Sequence, residues 1–248
     1  MNLILFEENE AALPLKKHDV RTVHLVKTLH KKVGDEFDAG ILWGKRGKGR
    51  VEAFTGGGDL VFSLNLTEFP PPRLYVTVAV GFPRPIQTRR LLRDLSNIGV
   101  EAVHLVGCEL GDKNYLKTTL LSDGGARAAL LEGAVQARDT ILPGLDVFSS
   151  LGDWLEKSPP HAAEGGGISL IACDNVNPDG AFGGEPVAAG PVTLAIGPER
   201  GWSDRERRQL AGAGFKRLSL GCRALRTETA CIAAVAALET ARRFPPAL

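Results

Sequence analysis

Three loops in the last third of the chain combine glycine and proline with charged and amide side chains. They cover residues 174–180, 197–202 and 221–229, and each follows an apolar segment predicted to be a buried strand. Glycine lets backbone groups approach a ligand closely, and an adenine edge requires one backbone donor and one backbone acceptor. The loops therefore indicate a binding site for an adenine-containing ligand, while turns that cap helices would account for the same residues.

Other nucleotide, metal and catalytic patterns are missing from the sequence. There is no G-x-x-x-x-G-K-[ST] phosphate loop, and no G-x-G-x-x-G opens the first strand–helix turn of the larger part. No Ser/His/Asp arrangement stands out, and all histidines precede the three loops, so no histidine base is expected there. The four cysteines have no C-x-x-C spacing, so we expect neither a metal ion nor a disulfide.

The segments that must position the three loops alternate between apolar strands and helices. This alternation is typical of an α/β domain with a mostly parallel sheet, in which ligands bind outside the carboxyl ends of the strands. Ser203 and Glu206 form an S-x-x-E capping-box pattern at one helix start, and a loop is expected over 158–167. The predicted strands cover 74–80, 101–106, 145–149, 168–173, 192–196 and 215–220; the predicted helices cover 86–98, 114–120, 122–138, 150–157, a segment from about 204, and 227–243.

Three consecutive prolines at residues 70–72 mark the best boundary between two domains, because proline fits neither a helix interior nor a central strand. The part before it, residues 1–68, is predicted to be a small β-rich domain. Apolar residues at helical spacing over 18–33 predict one helix with basic outer faces. A turn at 44–50 holds four basic residues and no acid. Short strands are expected near 36–43, 51–55 and 60–66.

The basic residues of this small domain are candidates for contacts with nucleic acid. The formal net charge of the chain is only +1, so any nucleic-acid footprint must be local. Lysine and arginine in such a footprint bind phosphates and position a nucleic acid without reading its sequence. A basic run can equally be a solvated face. The candidate phosphate contacts are Lys27, Lys31, Arg46, Lys48 and Arg50.

Length and composition describe an ordinary globular protein of two unequal domains. Hydrophobic residues make up 44% of the 248 residues and charged residues 24%, a mix that permits a sizeable core. The first ten residues carry three glutamates after a short apolar run, unlike a secretory signal peptide. No segment reaches the ~18 consecutive apolar residues of a membrane span. We therefore expect a cytoplasmic protein.

Two strings near the C-terminus carry a resemblance to a known family. They are LAIGPERGWSDRE at residues 194–206 and LSLGCRALRTETACIAAVAAL at residues 218–238. Their order and spacing resemble the C-terminal signature of the RsmE family, the 16S ribosomal RNA uridine-N3 methyltransferases of the SPOUT superfamily. A weaker similarity continues into the small domain, at residues 24–29 followed by Gly34 and Asp35.

The resemblance implies a fold, a cofactor and partners. The implied fold is α/β, a SPOUT trefoil-knot methyltransferase domain over 74–248 preceded by a small PUA-like RNA-binding β-barrel over 1–68. The implied cofactor is S-adenosyl-L-methionine, the implied substrate is 16S rRNA of the small ribosomal subunit, and the implied assembly is a homodimer. By match of position, the residues implied to bind the cofactor are Ile171, Ala195, Gly197, Glu199, Gly201, Leu220, Gly221, Ala224, Leu225 and Thr229.

Three regions depart from the family pattern. Arg200 stands where the family usually has glycine, so a left-handed backbone there would be strained; alternatively, Arg200 reaches RNA or a partner subunit. The helix over 90–100 lacks the usual K-x-x-E-L-G-V sequence, and residues 111–115 replace an expected arginine–serine step. These departures are typical of a divergent branch, and they bear on the target nucleotide more than on the cofactor.

The reaction implied by the resemblance needs groups that deprotonate and hold a uracil ring. N3 of uridine is weakly acidic, and its proton must leave before the nitrogen becomes a good nucleophile. Arg226 is the candidate for holding the uracil oxygens or a phosphate, because a guanidinium has a fixed fork of donors; a structural ion pair with Glu199 or Glu228 is the alternative. Glu199 is the candidate base, with a structural role in the Gly197 loop as the alternative.

Three other functions compete with this interpretation. The first is a non-catalytic RNA-binding relative, which the intact cofactor loops disfavour. The second is an enzyme that binds another adenine nucleotide, which the missing phosphate-loop motifs disfavour. The third is a SPOUT methyltransferase that acts on tRNA or 23S rRNA; it stays open, because the target depends on the divergent parts of the chain.

Overall fold

The part of the chain that the computed structural model describes comprises residues 3–160, 167–184 and 186–243. It divides into two units. The small unit contains the described residues up to Pro72, together with Ser96–Gly99 and Leu131–Leu142, and the large unit contains the others. The small unit is therefore assembled from three separate stretches of the chain.

A four-stranded sheet forms the centre of the small unit. Its strands are β1 (Ile4–Phe6), β2 (Glu36–Ile41), β3 (Arg46–Phe54) and β4 (Leu60–Glu68). They lie side by side in chain order, with β1 parallel to β2 and the other neighbours antiparallel. Phe6, Leu25, Phe37 and Leu60 belong to the core of this unit. Together with Val51 of β3, these side chains bring all four strands and the helix into one apolar core, and its burial stabilises the unit.

The helix of the small unit begins close to its predicted start. It consists of α1 (Val20–Val23), which continues as a π-helical turn at His24–Thr28; a short 3-10 turn at Glu8–Glu10 precedes it. The side chain of Asp19 caps the start by accepting a hydrogen bond from the Arg21 amide at 2.8 Å.

The same helix ends earlier than predicted. His30 has a left-handed φ of 53°, and the Lys31 amide donates a hydrogen bond back to the Leu25 carbonyl. This closure is the usual C-terminal cap of a helix, formed here without glycine. The prediction of a helix through residue 33 is wrong because the cap intervenes.

The segment over 44–50, predicted as a turn, lies mostly in strand β3. Two of its glycines allow close packing of residues from the neighbouring strands and do not form a turn. A Cβ at Gly47 would lie 2.3 Å from the Asn65 carbonyl oxygen, and one at Gly49 would lie 2.4 Å from the Phe37 ring. The prediction is wrong because the glycines here serve packing across the sheet. The candidate phosphate contacts of this segment consequently lie along a strand.

A seven-stranded sheet forms the centre of the large unit. Its strands are β5 (Leu74–Gly81), β6 (Val100–Val106), β7 (Gly144–Phe148), β8 (Leu170–Cys173), β9 (Gly180–Ala181), β10 (Val192–Ile196) and β11 (Lys216–Ser219). They lie in the order β7-β6-β5-β10-β8-β11-β9, and every neighbouring pair is parallel. The predicted α/β class with a parallel sheet is confirmed, and short β9 is an additional strand.

The helices beyond the small unit's first helix follow the predicted alternation. They are α2 (Pro85–Ile98), α3 (Thr119–Ser122) after a 3-10 turn at Lys113–Lys117, α4 (Gly125–Ala137), α5 (Leu151–Lys157), α6 (Asp204–Gly212) and α7 (Thr227–Arg243). The capping box at α6 is confirmed: the Glu206 amide donates to Ser203 Oγ at 3.1 Å, and the Ser203 amide donates to Glu206 Oε2 at 2.8 Å.

A histidine in the large unit has a structural role. The indole N–H of buried Trp154 donates to His104 Nδ1 at 2.9 Å. Burial lowers the pKa of His104 below its usual range, with the opposing effect of Asp146 smaller. His104 therefore contributes a hydrogen-bond acceptor to the core near Phe148, with which its ring forms an edge contact.

No helix in the described residues combines the length and apolar character needed to cross a membrane. The loop predicted over 158–167 lies mostly outside the described residues, which omit 161–166.

Candidate functional site

The carboxyl ends of β10, β8 and β11 lie side by side in the large unit's sheet. Ile196 at the end of β10 is level with Cys173 at the end of β8, and Cys173 is level with Leu218 in β11. The three loops singled out in the sequence follow these three strands. Because the strands are parallel neighbours, their loops emerge together at one edge of the sheet.

The loops surround an open cleft with a volume of about 250 Å³. Its lining mixes apolar and charged side chains with exposed backbone. The apolar part comes from Val176, Ile196, Pro198, Leu220 and Leu225, and the charged part comes from Asp174, Glu199, Arg200, Arg207 and Arg223. A cleft of this composition suits a ligand with a flat apolar ring and polar edges.

Six of the ten residues assigned to the cofactor line this cleft: Gly197, Glu199, Gly201, Leu220, Ala224 and Leu225. Ile171 and Ala195 instead lie inside β8 and β10, where they are fully buried in the sheet. Gly221 and Thr229 are exposed and do not contribute to the lining, and neither does Arg226. The structure thus brings six of the eight assigned loop residues together at the cleft, and the two strand residues lie in the sheet.

Two glycines shape the loop after β10. A Cβ at Gly197 would lie 3.1–3.2 Å from Gly201 backbone carbon atoms and 3.3 Å from the Trp202 nitrogen, so a side chain there would press on the loop. Gly201 has a φ of 74°, a left-handed conformation that favours glycine. The loop is therefore folded tightly on itself, with its backbone facing the cleft.

The arginine at the unusual position in this loop is not strained. Arg200 is absent from the described non-glycine residues with positive φ, whereas its neighbour Gly201 carries that conformation. The strain expected for Arg200 therefore does not arise, because the glycine that follows it makes the turn. Its side chain is exposed at the cleft.

A buried ion pair joins the loop after β8 to helix α6. Arg207 Nε lies 2.7 Å from Asp174 Oδ2, and the Asp174 side chain is only 5% exposed. Asp174 Oδ1 also accepts a hydrogen bond from the Val176 amide at 3.0 Å. The hydrogen bond to Asp174 raises the pKa of Arg207 above its usual range, so the guanidinium stays charged. The pair fixes one wall of the cleft.

Weaker hydrogen bonds fasten the loops to one another. Thr227, the buried first residue of α7, donates to the Gly197 carbonyl at 3.3 Å. The Asn175 side-chain amide donates to the Arg223 carbonyl at 3.3 Å, and Ser219 bonds to the backbone of Gly221. The start of α7 and all three loops are thereby held in a fixed arrangement. The sequence placed Asp174 and Thr227 in the candidate loops but did not indicate their roles, and it did not indicate Arg207 at all, because each acts through a partner distant along the chain.

The remaining charged side chains of the cleft lining, and Arg226 next to it in the chain, are exposed. Within the described residues, Glu199, Arg200, Arg223 and Arg226 form no ion pair and no side-chain hydrogen bond. The ion pair considered for Arg226, with Glu199 or Glu228, is accordingly not formed there. These side chains are available to a ligand.

The thiol of Cys173 also lines the cleft. Burial, followed by the charge of Asp174, raises the pKa of this thiol to about 12. It remains protonated at neutral pH, so it is a small apolar wall and not a nucleophile.

The candidate phosphate contacts differ in how free they are. Lys48 lies 2.8 Å from Asp38, and Arg46 lies 3.3 Å from Glu68, so both are engaged in ion pairs on the sheet. Lys27 and Arg50 are exposed and Lys31 is half-buried, and none of these three forms an ion pair with a described residue.

An open parallel α/β sheet with a mixed cleft at the ends of three adjacent strands defines a ligand-binding domain of the class that holds nucleotides and related cofactors. Comparison with known proteins narrows this class. A family model described as an RNA methyltransferase domain matches residues 70–239.

Relatives match along nearly the whole chain. The chain is 35% identical over 240 residues to the ribosomal RNA small subunit methyltransferase E of Treponema pallidum, covering 95% of this chain and 90% of that protein. It is 28% identical over 242 residues to the ribosomal RNA small subunit methyltransferase E 1 of Borreliella burgdorferi, covering 94% and 95%. The chain belongs to the ribosomal RNA small subunit methyltransferase E family.

A solved structure agrees in fold. The ribosomal RNA small subunit methyltransferase E of Neisseria gonorrhoeae, bound to S-adenosyl methionine, matches with a TM-score of 0.71 at 17% identity, covering 97% of both chains. The family resemblance drawn from the two C-terminal strings is thus confirmed, and so is the α/β fold with a small N-terminal sheet.

Proposed function

We propose that this protein transfers a methyl group from S-adenosyl-L-methionine to N3 of a uridine in the 16S rRNA of the small ribosomal subunit. The observation that carries the proposal is the 35% identity to a ribosomal RNA small subunit methyltransferase E over 95% of the chain. The cleft at the ends of β8, β10 and β11 is the place for the reaction, because its loops contain the family's two C-terminal strings.

The residues of the cleft fit this cofactor. The tight turn of Gly197 and Gly201 exposes backbone groups that can pair with an adenine edge, and Leu220 and Leu225 offer apolar surface to its faces. Ala224 adds a small side chain that leaves room between them. When bound, the cofactor supplies an electrophilic methyl group on a sulfonium sulfur.

Arg226 is the residue proposed to hold the substrate. It follows Leu225 of the cleft lining, is exposed, and has no ion pair with a described residue. Its guanidinium can donate two parallel hydrogen bonds to the uracil oxygens or to a phosphate. Donation to the oxygens would stabilise the negative charge that develops when N3 loses its proton.

Glu199 is the proposed base for the N3 proton. Its carboxylate lines the cleft and is exposed, and no side-chain hydrogen bond to a described residue occupies it. The structural alternative, in which this carboxylate closes the Gly197 loop, has no supporting contact among the described residues. Substitution by glutamine preserves the shape, so a changed pH profile of methyl transfer would separate the two roles.

The RNA is proposed to contact both parts of the chain. Residues 1–68 serve as the PUA-like RNA-binding domain, and residues 74–248 serve as the catalytic domain with a C-terminal trefoil knot. A homodimer and a cytoplasmic location, where ribosomal subunits are found, complete the proposal. Of the five candidate phosphate contacts, Lys27, Lys31 and Arg50 are proposed to bind phosphates. Arg46 and Lys48 are instead held by Glu68 and Asp38.

Transfer of labelled methyl from S-adenosylmethionine to purified 30S subunits, naked 16S rRNA and bulk tRNA tests the proposal. We expect label in the small subunit, at N3 of one uridine when the RNA is digested and mapped. Label confined to tRNA or to 23S rRNA would contradict the substrate and keep the chemistry. Cofactor binding without label in any RNA would contradict the methyl transfer itself.

A further inference from the structure

The turn between β2 and β3 holds a tryptophan in an unusual backbone conformation. Trp43 has a φ of 65°, which is left-handed. For a bulky residue this conformation is an outlier, since glycine or asparagine adopts it with less strain. Gly44 follows directly in the sequence. The strained position is thus occupied by tryptophan, although a glycine stands next to it. Such an outlier persists only where its surroundings fix it.

Backbone hydrogen bonds on both sides fix the conformation of this turn. The Trp43 amide donates to the Thr140 carbonyl at 2.8 Å, and the preceding Leu42 amide donates to the Phe6 carbonyl at 2.8 Å. The Thr140 hydroxyl donates to the Gly44 carbonyl at 2.6 Å. These hydrogen bonds therefore hold the backbone of Trp43 in its left-handed conformation within the small unit.

The clamp leaves the indole in solvent. The side chain of Trp43 is 63% exposed, whereas the other two tryptophans, Trp154 and Trp202, are 1% and 2% exposed. An exposed indole on a fixed backbone brings little burial energy to the fold. The arrangement keeps a flat aromatic surface ready for contact.

Positive charge lies beside this surface. Lys45, two residues further along the turn, is exposed, and its ammonium lies 5.0 Å from the centroid of the Phe69 ring. Phe69 itself is 75% exposed. This cation–π contact steadies the lysine without neutralising it. The turn therefore presents one exposed indole and, two residues further on, a lysine that no described carboxylate neutralises.

We propose that Trp43 stacks on an unpaired base of the RNA and that Lys45 contacts the adjoining phosphate. Aromatic rings interleaved with cations are the physical basis of single-strand binding, since every base has a π-face and every linkage carries a negative charge. A protein partner would favour a contiguous apolar surface, whereas the ammonium of Lys45 interrupts the apolar surface here. The inference rests on the proposed function in that RNA is the substrate, and it adds that the docked segment is single-stranded.

Intrinsic fluorescence of the full chain tests the stacking directly. Because the other two tryptophans are buried, exposure to a soluble quencher such as acrylamide reports mainly on Trp43. We expect a short single-stranded oligouridylate to quench this emission and to protect it from acrylamide. An RNA duplex of the same length, whose bases are already stacked on one another, should do neither. Equal quenching by the duplex would overturn the assignment of an unpaired base.

Substitution measures the strength of the contact. Trp43→Asn should weaken oligouridylate binding roughly 5- to 150-fold, the range for loss of one base–aromatic stack, while Trp43→Phe should retain most of the affinity. Asparagine tolerates the left-handed conformation, so the thermal midpoint should not fall. Tyr75→Asn, which removes an aromatic side chain that is 60% exposed in the large unit, is the matched control and should leave affinity unchanged. Lys45→Gln should make the slope of log affinity against log salt concentration shallower by about one unit, the value for one lost phosphate contact.

The outcomes separate this inference from the proposed function. If Trp43→Asn binds oligouridylate as the parent does and methylates 30S subunits with unchanged KM, the stacking is overturned and the methyltransferase stands. If the parent methylates no RNA but its Trp43 emission is quenched and Trp43→Asn loses the binding, the stacking stands and the proposed function falls.

Discussion

Three arginines of the small unit and three arginines in or next to the cleft of the large unit have opposite surroundings. Three arginines of the small unit each hold a carboxylate: Arg21 with Asp19 and Glu10 at 2.7 Å, Arg46 with Glu68 at 3.3 Å, and Arg138 with Asp38 at 3.0 Å. At the cleft of the large unit, Arg200, Arg223 and Arg226 hold none among the described residues.

This difference distinguishes arginines that stabilise the fold from arginines whose side chains are available to bind a ligand. An arginine that is paired and partly buried stabilises its own unit, and its removal leaves carboxylates without a partner. An exposed arginine without a partner contributes little to folding, so it can be substituted at little cost. The paired set should therefore affect stability, and the unpaired set should affect activity.

The largest expected effect is on catalysis. Arg226→Ala should lower kcat roughly 100-fold or more, as loss of a donor to a developing oxyanion does. The free energy of unfolding should change by less than about 0.5 kcal/mol, because no described contact of this side chain is lost. Steady-state methyl transfer to 30S subunits and chemical denaturation measure the two quantities.

Arg200→Ala is the matched control at the same cleft. It removes an exposed, unpaired arginine from a loop that keeps its glycine turn, and its effect on kcat should be smaller than that of Arg226→Ala. Full activity of a folded Arg226→Ala variant would show that this residue has no role in catalysis. It would also contradict the contrast between the paired and the unpaired arginines.

The next effect is on stability. Arg21→Met should lower the free energy of unfolding by roughly 2 kcal/mol, because Asp19 and Glu10 lose their partner in a site where the Arg21 side chain is 19% exposed. Methionine keeps an apolar stem beside the Phe6 ring that Arg21 covers. Methyl transfer per folded molecule should stay unchanged. Arg50→Met, an exposed arginine of the same unit, is the control and should be near neutral.

The cost of Arg21→Met should depend on pH. Hydrogen bonds from Arg21 hold the pKa of Glu10 and of Asp19 below their usual ranges. The folded values are thus lower than the unfolded ones, which are roughly 4, so the stabilisation is complete above that pH and is lost as the pH falls through the folded values. Unfolding curves of parent and variant should differ at neutral pH and converge at acidic pH. A constant difference would contradict the ion-pair origin.

The smallest effects concern RNA affinity. Lys27→Gln and Arg50→Gln should each make the slope of log RNA affinity against log salt concentration shallower by about one unit. Neither substitution should lower the stability. Lys48→Gln should instead cost about 1 kcal/mol of stability, because Lys48 is paired with buried Asp38. Binding titrations at several salt concentrations and denaturation would show both patterns. The contrast would fail if Lys48→Gln changed RNA binding alone.

Much of the large unit could be predicted from the sequence, because its signals are local. Apolar runs mark the strands, the Ser203–Glu206 pair marks the start of α6, and the predicted limits of α7 agree with the structure. The loops of the cleft could also be singled out. Their contact required the order β10-β8-β11, which no local pattern contains.

The failures have a common physical cause in tertiary contacts. Gly47 and Gly49 suggested a turn, whereas the space they leave is filled by Asn65 and Phe37 from neighbouring strands. The Asp174–Arg207 pair lies across 33 positions of sequence, so neither residue stood out by spacing. Residues whose role depends on a distant partner become recognisable only when the chain is folded.

The stretch Leu131–Leu142 has a consequence for the order in which the protein forms during synthesis. It supplies the Val135 carbonyl that accepts from the Leu3 amide, the Thr140 carbonyl behind Trp43, and the Arg138 guanidinium that holds buried Asp38. A nascent chain that has emerged only as far as the three prolines lacks all of these partners. The four-stranded sheet is translated first, but its contacts are complete only after α4 and the residues that follow it have been synthesised.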